Sequence, residues 1–265
     1  MKPLSEFTIG ARRNVRGVLT DIDDTITTDG KLTAHAYGAC ERLHDAGFMV
    51  IPITGRPAGW CDHFARMWPV DGIVGENGAF YFRYEAAAKK MTKRFLMSDA
   101  LRTENRKRLT RLRDEILKKV PGAGVASDQL YREADLAIDF CEDVPALANE
   151  AVSRIVAIMT AAGATAKVSS IHVNGWFGDY DKLSMTRIMM AECFGIDIDA
   201  EKERFVYIGD SPNDVPMFGF FPHSVGNANV RRFEGALDAE PTYVTKRGDG
   251  AGFAEMADFL IAARR

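Results

Sequence analysis

Short apolar stretches that end at polar residues alternate along this chain with longer segments whose apolar residues recur at helical spacing. The pattern predicts strands at 15–19, 48–53, 71–75, 205–208, 224–226 and 242–244. It predicts helices at 33–46, 182–194 and 252–263, and glycines close the first two of these, Gly47 and Gly195. Apolar strands covered by helices on both faces are typical of a parallel sheet. We therefore expect an α/β protein with a Rossmann-like parallel sheet.

The middle of the chain follows a different pattern. After a basic stretch at 89–94, an amphipathic helix is expected at 99–120, then an alternating strand at 129–140, a helix at 146–162, and strands at 165–169 and 171–176. A helix, strand, helix, strand, strand order is an α+β unit that interrupts the repeated β-α pattern. We therefore predict a catalytic core at 1–82 and 179–265 and an inserted α+β cap domain at 83–178.

Composition narrows the class of protein. With 265 residues and 46% hydrophobic residues the chain can bury a full core, and its net charge of -3 gives no general attraction to nucleic acid or to an anionic membrane. The four cysteines are scattered without metal-binding spacing, so we expect them to be reduced. No apolar run is long enough to span a bilayer. We expect a cytoplasmic protein that acts on a small molecule, and its oligomeric state is left open.

The first strand ends in an acidic loop, T-D-I-D-D-T. Three carboxylates cannot lie in a dry sheet, so Asp21, Asp23 and Asp24 are predicted to lie in a loop at the strand end. Two carboxylates one residue apart can divide the work of covalent catalysis, since one attacks while the other handles a proton. The alternative is an Asp-rich turn or a helix cap. Asp24 has no assigned role.

A second acidic loop, G-D-S-P-N-D, follows the strand at 205–208. Asp214 comes one helical turn after Asp210, and Gly209 permits close approach of the backbone. Together with the first loop, these carboxylates can complete an oxygen-ligand site for Mg²⁺. The alternative is an ordinary turn followed by a helix cap.

Two other regions, the loop at 54–56 and the start of the helix at 182, are suited to bind an anion. Thr54 and Gly55 follow the second strand, where a hydroxyl and backbone N–H groups can donate to phosphate oxygens, although a simple capped turn is the alternative. Arg56 either reaches a substrate phosphate or pairs with a surface carboxylate. Lys182 begins a helix, a position that the helix dipole disfavours unless an anion compensates it. That anion is either Asp179 or Asp181, or the reacting groups themselves.

These loops resemble the motifs of the haloacid dehalogenase superfamily, in the order found there. D-I-D-D-T is similar to its D-x-D-x-T signature, while E-N-G-A at 76–79 and the inserted unit resemble subclass IIB, whose α+β cap is of the C2B type. The resemblance implies that Asp21 is the nucleophile and Asp23 the acid and base. It also implies that the phosphoryl group is held by Thr54 and Lys182, with further substrate contacts from Gly55, Arg56 and Asn213. The implied Mg²⁺ ligands are Asp21, the Asp23 carbonyl and Asp210, with Asp214 a ligand or a support.

The activity implied by the resemblance is hydrolysis of a small phosphorylated metabolite, most readily a sugar phosphate, through an aspartyl-phosphate. An acidic residue at Asp23 fits rapid hydrolysis of such an intermediate. One alternative is a phosphosugar mutase similar to phosphomannomutases, and another is a non-catalytic phosphosugar-binding regulator. Within the cap, His172, Asn174 and Trp176 alternate along one strand and are candidate substrate contacts, although a packed or exposed sheet face would have the same pattern.

Overall fold

The structure, a computed structural model, describes residues 1–264. The strands are β1 (Lys2–Pro3), β2 (Gly17–Thr20), β3 (Thr27–Thr28), β4 (Lys31–Leu32), β5 (Met49–Pro52), β6 (Ile73–Gly75), β7 (Phe80–Glu85), β8 (Lys90–Phe95), β9 (Gly124–Val125), β10 (Asp135–Asp139), β11 (Thr165–Val168), β12 (His172–Trp176), β13 (Phe205–Gly209), β14 (His223–Gly226) and β15 (Tyr243–Val244). The α-helices are α1 (Ile9–Asn14), α2 (Ala34–Asp45), α3 (Ala58–Met67), α4 (Asp99–Lys119), α5 (Asn149–Ala161), α6 (Lys182–Phe194), α7 (Ile198–Glu201), α8 (Val215–Phe220) and α9 (Asp249–Ile261).

A six-stranded parallel sheet forms the centre of the fold. Its order is β1-β15-β14-β13-β2-β5, and β2, β5 and β13 are almost entirely buried. Helices α2 and α9 contribute to the hydrophobic cluster on one face, and α6 and α8 contribute to the cluster on the other. Because both faces are covered, these strands carry apolar runs instead of an alternating pattern. The predicted α/β fold with a parallel sheet is confirmed.

The register of this sheet brings three loops together at one edge. Thr20 at the end of β2 pairs with Ile208 on one side and with Pro52 on the other. The chain therefore leaves β2, β5 and β13 at the same level. In open α/β sheets, ligands bind at this carboxyl edge of the strands.

A three-stranded antiparallel sheet, β6-β7-β8, lies beside the parallel sheet and was only partly expected. β6 continues the central sheet through a single parallel bridge between Val74 and Ile53. The basic segment that precedes α4 is the strand β8, which pairs with the whole length of β7. The predicted boundary between residues 82 and 83 falls inside β7. This strand continues to Glu85 because it pairs with β8, and β8 was not expected as a strand because it is half-exposed and rich in Lys and Arg.

The inserted segment folds around its own sheet, with the order β11-β12-β10-β9 and antiparallel pairing throughout. The apolar stripes of α4 and α5 pack on this sheet in a separate hydrophobic cluster that includes Leu109, Ile116, Ile155 and Met159. The strand expected at 129–140 begins only at Asp135, because Gln129–Tyr131 forms a 3-10 turn. The division into core and cap stays a prediction. Within residues 1–264, none of the helices has both the length and the apolar character needed to cross a membrane.

Candidate active site

Asp21 lies at the carboxyl edge of the central sheet, one residue after β2. Its backbone N–H donates to Ile208 O at 2.9 Å, which fixes the start of the loop, and its carboxylate is buried. Lys182 Nζ lies 3.1 Å from Asp21 Oδ1. Burial raises the pKa of Asp21 to about 7 against the opposing effect of Lys182, with Asp214 and Asp23 adding to the rise. A nearby cation would therefore favour the ionised form that a nucleophile requires.

Lys182 is held at the first turn of α6 with its side chain fully buried. Asp181 caps this helix by accepting a hydrogen bond from the Ser184 N–H at 2.8 Å, so it does not compensate the lysine. The ammonium instead contacts Asp21 and, at 2.7 Å, Asp214 Oδ1. Although burial opposes its charge, these two carboxylates raise the pKa of Lys182 above its usual value. The structure therefore places Lys182 beside Asp21 and Asp214, and its side chain makes no ion pair with Asp179 or Asp181 among residues 1–264.

Asp214 has every oxygen occupied by donors. Its Oδ1 accepts from Lys182 Nζ and from the Tyr207 hydroxyl, and its Oδ2 accepts from the N–H groups of Asp210 at 3.0 Å and Ser211 at 3.2 Å. A carboxylate has about four acceptor positions, so little capacity remains for a metal ion. A Cβ atom at Gly209 would lie 2.3 Å from Asp214 Oδ2, which explains the glycine before the acidic loop. The geometry gives Asp214 a supporting position beneath Lys182 and Asp210.

Three buried carboxylates from the two acidic loops form a cluster. Asp21, Asp210 and Asp214 each bring an oxygen within 4.8 Å of the others. Asp210 Oδ1 accepts from the Thr25 hydroxyl at 3.2 Å, whereas among residues 1–264 its Oδ2 accepts no hydrogen bond and lies 3.5 Å from Arg232 Nη2. Burial, then Asp214 and Asp21, raise the pKa of Asp210 well above its usual value. A buried, unsatisfied carboxylate oxygen beside Asp21 fits the oxygen donor set of a small divalent cation.

Thr54 follows the second strand of the site and is fully buried. Its hydroxyl accepts a hydrogen bond from the Arg56 N–H at 3.0 Å and retains its own proton for donation. Gly55 lines the cleft beside Asp21 and Asp23, as does Asn213 from the second acidic loop. The two acidic loops, the loop at Thr54 and Gly55, and the first turn of α6 therefore meet at one edge of the sheet.

Arg56 makes contacts that neither sequence-based alternative described. Its Nε and Nη2 donate to both oxygens of Asp23 at 2.8–3.0 Å, and its Nη2 donates to Glu142 Oε1 at 2.9 Å. Asp128 Oδ2 lies 3.4 Å from Nη1. The guanidinium is buried, so these carboxylates are not surface partners. Arg56 therefore joins Asp23, the residue expected to act as acid and base, to Asp128 and Glu142 of the inserted segment.

The inserted segment closes the cleft from above, with the turn at 169–171 and the side chains of His172 and Asn174. His172 Nε2 lies 2.8 Å from Glu142 Oε2, and Asn174 donates to Asp135 at 3.0 Å. Trp176 is not part of this lining, which fits the alternative of a packed sheet face. Its ring is buried against Tyr180, with ring centroids 5.4 Å apart, because this end of β12 returns to the core instead of continuing over the cleft.

Two buried residues that the sequence analysis did not select join the inserted segment to the core. Glu76 of the E-N-G-A turn accepts from the backbone N–H groups of Ala58, Glu133, Ala134 and Asp135 at 2.6–3.2 Å. Burial and then Asp135 raise the pKa of Glu76 to about 8, against the effect of these donors.

Arg132 is the second of these residues, and its side chain is 1% exposed. It donates to Asp128, to Asp135 and to Gly55 O, the last at 2.9 Å. Neither Glu76 nor Arg132 stands out in the sequence by spacing or periodicity. Their partners lie far away along the chain.

Asn227 supports the first acidic loop from the side of the core. Its side-chain amide donates to Thr25 O at 3.2 Å and to Asp249 O at 2.8 Å. Asn229 donates to Asp24 O at 2.9 Å, and Asp24 itself adopts a positive φ of 52°. These contacts hold the backbone of the first acidic loop in shape.

Part of the chain is similar in sequence to known proteins. The sequence model of the haloacid dehalogenase-like hydrolases matches residues 18–113, which include the first acidic loop and the T-G-R loop. A phosphoglycolate phosphatase of Methanothrix thermoacetophila is 41% identical over 63 residues, which is 23% of this chain and 26% of that protein. This chain therefore aligns with about a quarter of the length of that curated relative.

Solved structures share the fold over nearly the whole chain. A Thermoplasma acidophilum protein has a TM-score of 0.68 at 18% identity, over 93% of this chain and 98% of its own. The C-terminal domain of a C. albicans trehalose-6-phosphate phosphatase has a TM-score of 0.67 at 11% identity, over 99% and 98%. The sucrose-phosphatase of Synechocystis, solved with sucrose and phosphate, has a TM-score of 0.63 at 13% identity, over 93% and 98%. Residues 18–113 are therefore similar to the haloacid dehalogenase-like hydrolases, and the solved structures show that the fold is shared over nearly the whole chain.

Proposed function

We propose that this protein is a Mg²⁺-dependent phosphatase of a small phosphorylated metabolite, most readily a sugar phosphate, that works through an aspartyl-phosphate. The observation that carries the proposal is the position of Asp21. Its carboxylate lies 3.1 Å from the Lys182 ammonium, in a cluster with Asp210 and Asp214 within 4.8 Å. This arrangement supports a carboxylate nucleophile beside groups that neutralise a phosphoryl anion.

In the first step, an Asp21 oxygen forms a bond to phosphorus as the bond from phosphorus to the leaving oxygen breaks. Asp23 gives its proton to that oxygen, so the product leaves as an alcohol. In the second step, Asp23 accepts a proton from water, whose oxygen bonds to phosphorus, and Asp21 is released with free phosphate. Lys182 and the Thr54 hydroxyl hold the oxygens on which negative charge accumulates.

Mg²⁺ would be held by Asp21 and Asp210, with the main-chain carbonyl of Asp23 as a further ligand. Its chemical contribution is to neutralise charge where a carboxylate must approach a phosphate dianion. Asp214 would orient Lys182 and the backbone of Asp210 by the four hydrogen bonds that occupy its oxygens.

Support for a sugar phosphate comes from the cleft and from the neighbours with this fold. The lining of the cleft is polar, with His172, Asn174, Ser169 and Ser170 above the acidic loops. Two of the solved structures are phosphatases named for disaccharide phosphates, while the curated relative is named for phosphoglycolate. These names supply the two substrate classes that an assay has to separate.

The test is phosphate release from a panel of sugar phosphates and phosphorylated acids, with Mg²⁺ and with EDTA. Asp21→Asn should abolish release, whereas Asp29→Asn, a neutralisation at an exposed turn eight residues along, should leave it unchanged. A requirement for a sugar bisphosphate activator would indicate the mutase instead. Absence of release from every compound would refute the hydrolase and favour a binding role.

The covalent intermediate has its own test. p-Nitrophenyl phosphate has a leaving group that needs little protonation, so Asp23→Asn should still be phosphorylated by it but should lose the phosphoryl group slowly. Intact-mass spectrometry should then detect one added phosphoryl group in Asp23→Asn and none in the Asp21→Asn, Asp23→Asn double variant. An unmodified mass in both would contradict the covalent mechanism.

A further inference from the structure

The carboxylates that react come from the core, but the surface that faces a leaving group comes from the inserted segment. Glu142 follows β10 and lies behind two residues of this surface, although it was not among the residues singled out in the sequence. Its two oxygens lie 2.9 Å from Arg56 Nη2 and 2.8 Å from His172 Nε2, and both of those residues line the cleft. Its side chain is 27% exposed and contacts the cleft through Arg56 and His172, because Glu142 itself is not part of the lining.

The charge of Glu142 is fixed by its surroundings. His172, and then the Arg56 guanidinium, hold the pKa of Glu142 at about 2, although partial burial opposes this. The backbone also fixes its position, because the Glu142 N–H donates to Asp139 Oδ1 at 2.8 Å. An ionised carboxylate held in a fixed, partly buried position exerts a stronger field on its neighbours than a mobile one in open solvent.

Carboxylates outnumber guanidinium groups in the ion network that Arg56 and Arg132 form beside the cleft. The guanidinium groups of Arg56 and Arg132 are shared among four carboxylates: Asp23, Asp128, Asp135 and Glu142. A leaving group with its own carboxylate would add a further negative charge beside these. A neutral leaving group with hydroxyls would instead find carboxylate acceptors, since hydroxyl groups donate well to ionised oxygens.

We propose that Glu142 is a specificity-determining residue, whose charge favours neutral, hydroxylated leaving groups and disfavours leaving groups that carry a carboxylate. The inference rests on the proposed phosphatase function and goes beyond it, because it sets the order of preference between the two substrate classes. The residue acts through its charge on whichever group occupies the cleft.

Two substrates of nearly equal size isolate this effect. Phosphoglycolate and hydroxyethyl phosphate differ only in having a carboxylate or a hydroxymethyl group at the end of the leaving group. Wild-type protein should have the higher kcat/KM for hydroxyethyl phosphate. Glu142→Gln should raise the ratio of kcat/KM for phosphoglycolate to that for hydroxyethyl phosphate by about tenfold, because a like charge is removed.

Three comparisons make the result specific to the charge of Glu142. Glu142→Asp keeps the charge and should keep the wild-type ratio, and Asp143→Asn neutralises the exposed adjacent residue and should also keep it. Taking a ratio of two substrates cancels any common loss of activity caused by a shift of Arg56. Far-ultraviolet circular dichroism and thermal unfolding establish that each variant is folded.

The outcomes separate the two proposals. Phosphate release that depends on Asp21, with a ratio unchanged by Glu142→Gln, would overturn the role of Glu142 and leave the phosphatase intact. Preference of the wild type for phosphoglycolate would overturn it as well. Release that does not depend on Asp21, or no release from any substrate including p-nitrophenyl phosphate, would overturn the phosphatase and with it this inference.

Discussion

Arg132→Met is the change that best tests whether the buried ion network is necessary for stability. Methionine keeps most of the side-chain volume but removes all the donors that Arg132 directs at Asp128, Asp135 and Gly55 O. The side chains of both aspartates are at most 5% exposed, so the variant leaves Asp135 without a cation and Asp128 with only Arg56, 3.4 Å away. Breaking a buried pair in this way costs about 3–5 kcal/mol.

For a chain of this size, we expect this cost to lower Tm by roughly 6–20 °C. The measurements are thermal unfolding and urea unfolding at pH 7, with Arg113→Met as the control. That arginine is 39% exposed and pairs with Asp114 on the outer face of α4, and an exposed pair contributes about 0–1 kcal/mol. Equal stability of the two variants would refute the role of the buried network.

The pH dependence provides a second measurement on the same variant. Burial already raises the pKa of Asp135 although Arg132 opposes the rise, so removal of Arg132 raises it further. The folded variant then binds a proton that the unfolded chain releases above its ordinary pKa of about 3.9. Its free energy of unfolding should therefore recover as pH falls from 7 towards 5, relative to the wild type. A deficit that is constant over this interval would contradict unpaired carboxylates as its cause.

Three further predictions concern the acidic cluster. Asp210→Asn should stabilise the metal-free protein by about 1–2 kcal/mol, because it removes a buried charge. The variant should also lose the increase in Tm that Mg²⁺ causes in the wild type. A variant less stable than the metal-free wild type would contradict this. Because the pKa of Asp21 is about 7 without metal, calorimetry should find a larger apparent Kd for Mg²⁺ at pH 6 than at pH 8, as the cation must displace a proton, whereas equal values would contradict it. Tyr207→Phe removes one of four donors to Asp214 and should lower kcat about tenfold with little change in KM, and an unaltered kcat would exclude a positioning role.

The parallel sheet and its reactive edge could be predicted because both depend on short, contiguous stretches of sequence. Each loop follows an apolar run, and parallel pairing brings the ends of such runs to one level. Asp21, Thr54 and Asp210 were therefore selected without any knowledge of their partners. The starts and ends of helices also depend mainly on neighbouring residues, since Asp181 and Gly195 mark the limits of α6.

What could not be predicted depends on pairs that are distant in the sequence. Arg56 contacts Glu142, and Glu76 contacts the backbone near Ala134, across separations of 86 and 58 residues. A single charged residue has no periodicity, so its sequence context does not identify its partner. The role of the Tyr207 hydroxyl could not be predicted for a different reason: Tyr207 belongs to a strand whose other side chains are apolar.

The contacts of Glu76 determine how freely the sequence of the inserted segment can change. Glu76 accepts hydrogen bonds from four main-chain N–H groups. Three of them belong to consecutive residues of the inserted segment, at positions 133–135. Every amino acid except proline provides such a donor. Mutations at positions 133 and 134 can therefore accumulate without loss of these hydrogen bonds, provided that the backbone path is kept, whereas the Asp135 side chain is also held by Arg132. A protein attached in this way can diversify the surface that meets its substrate while the reactive edge beneath it stays the same.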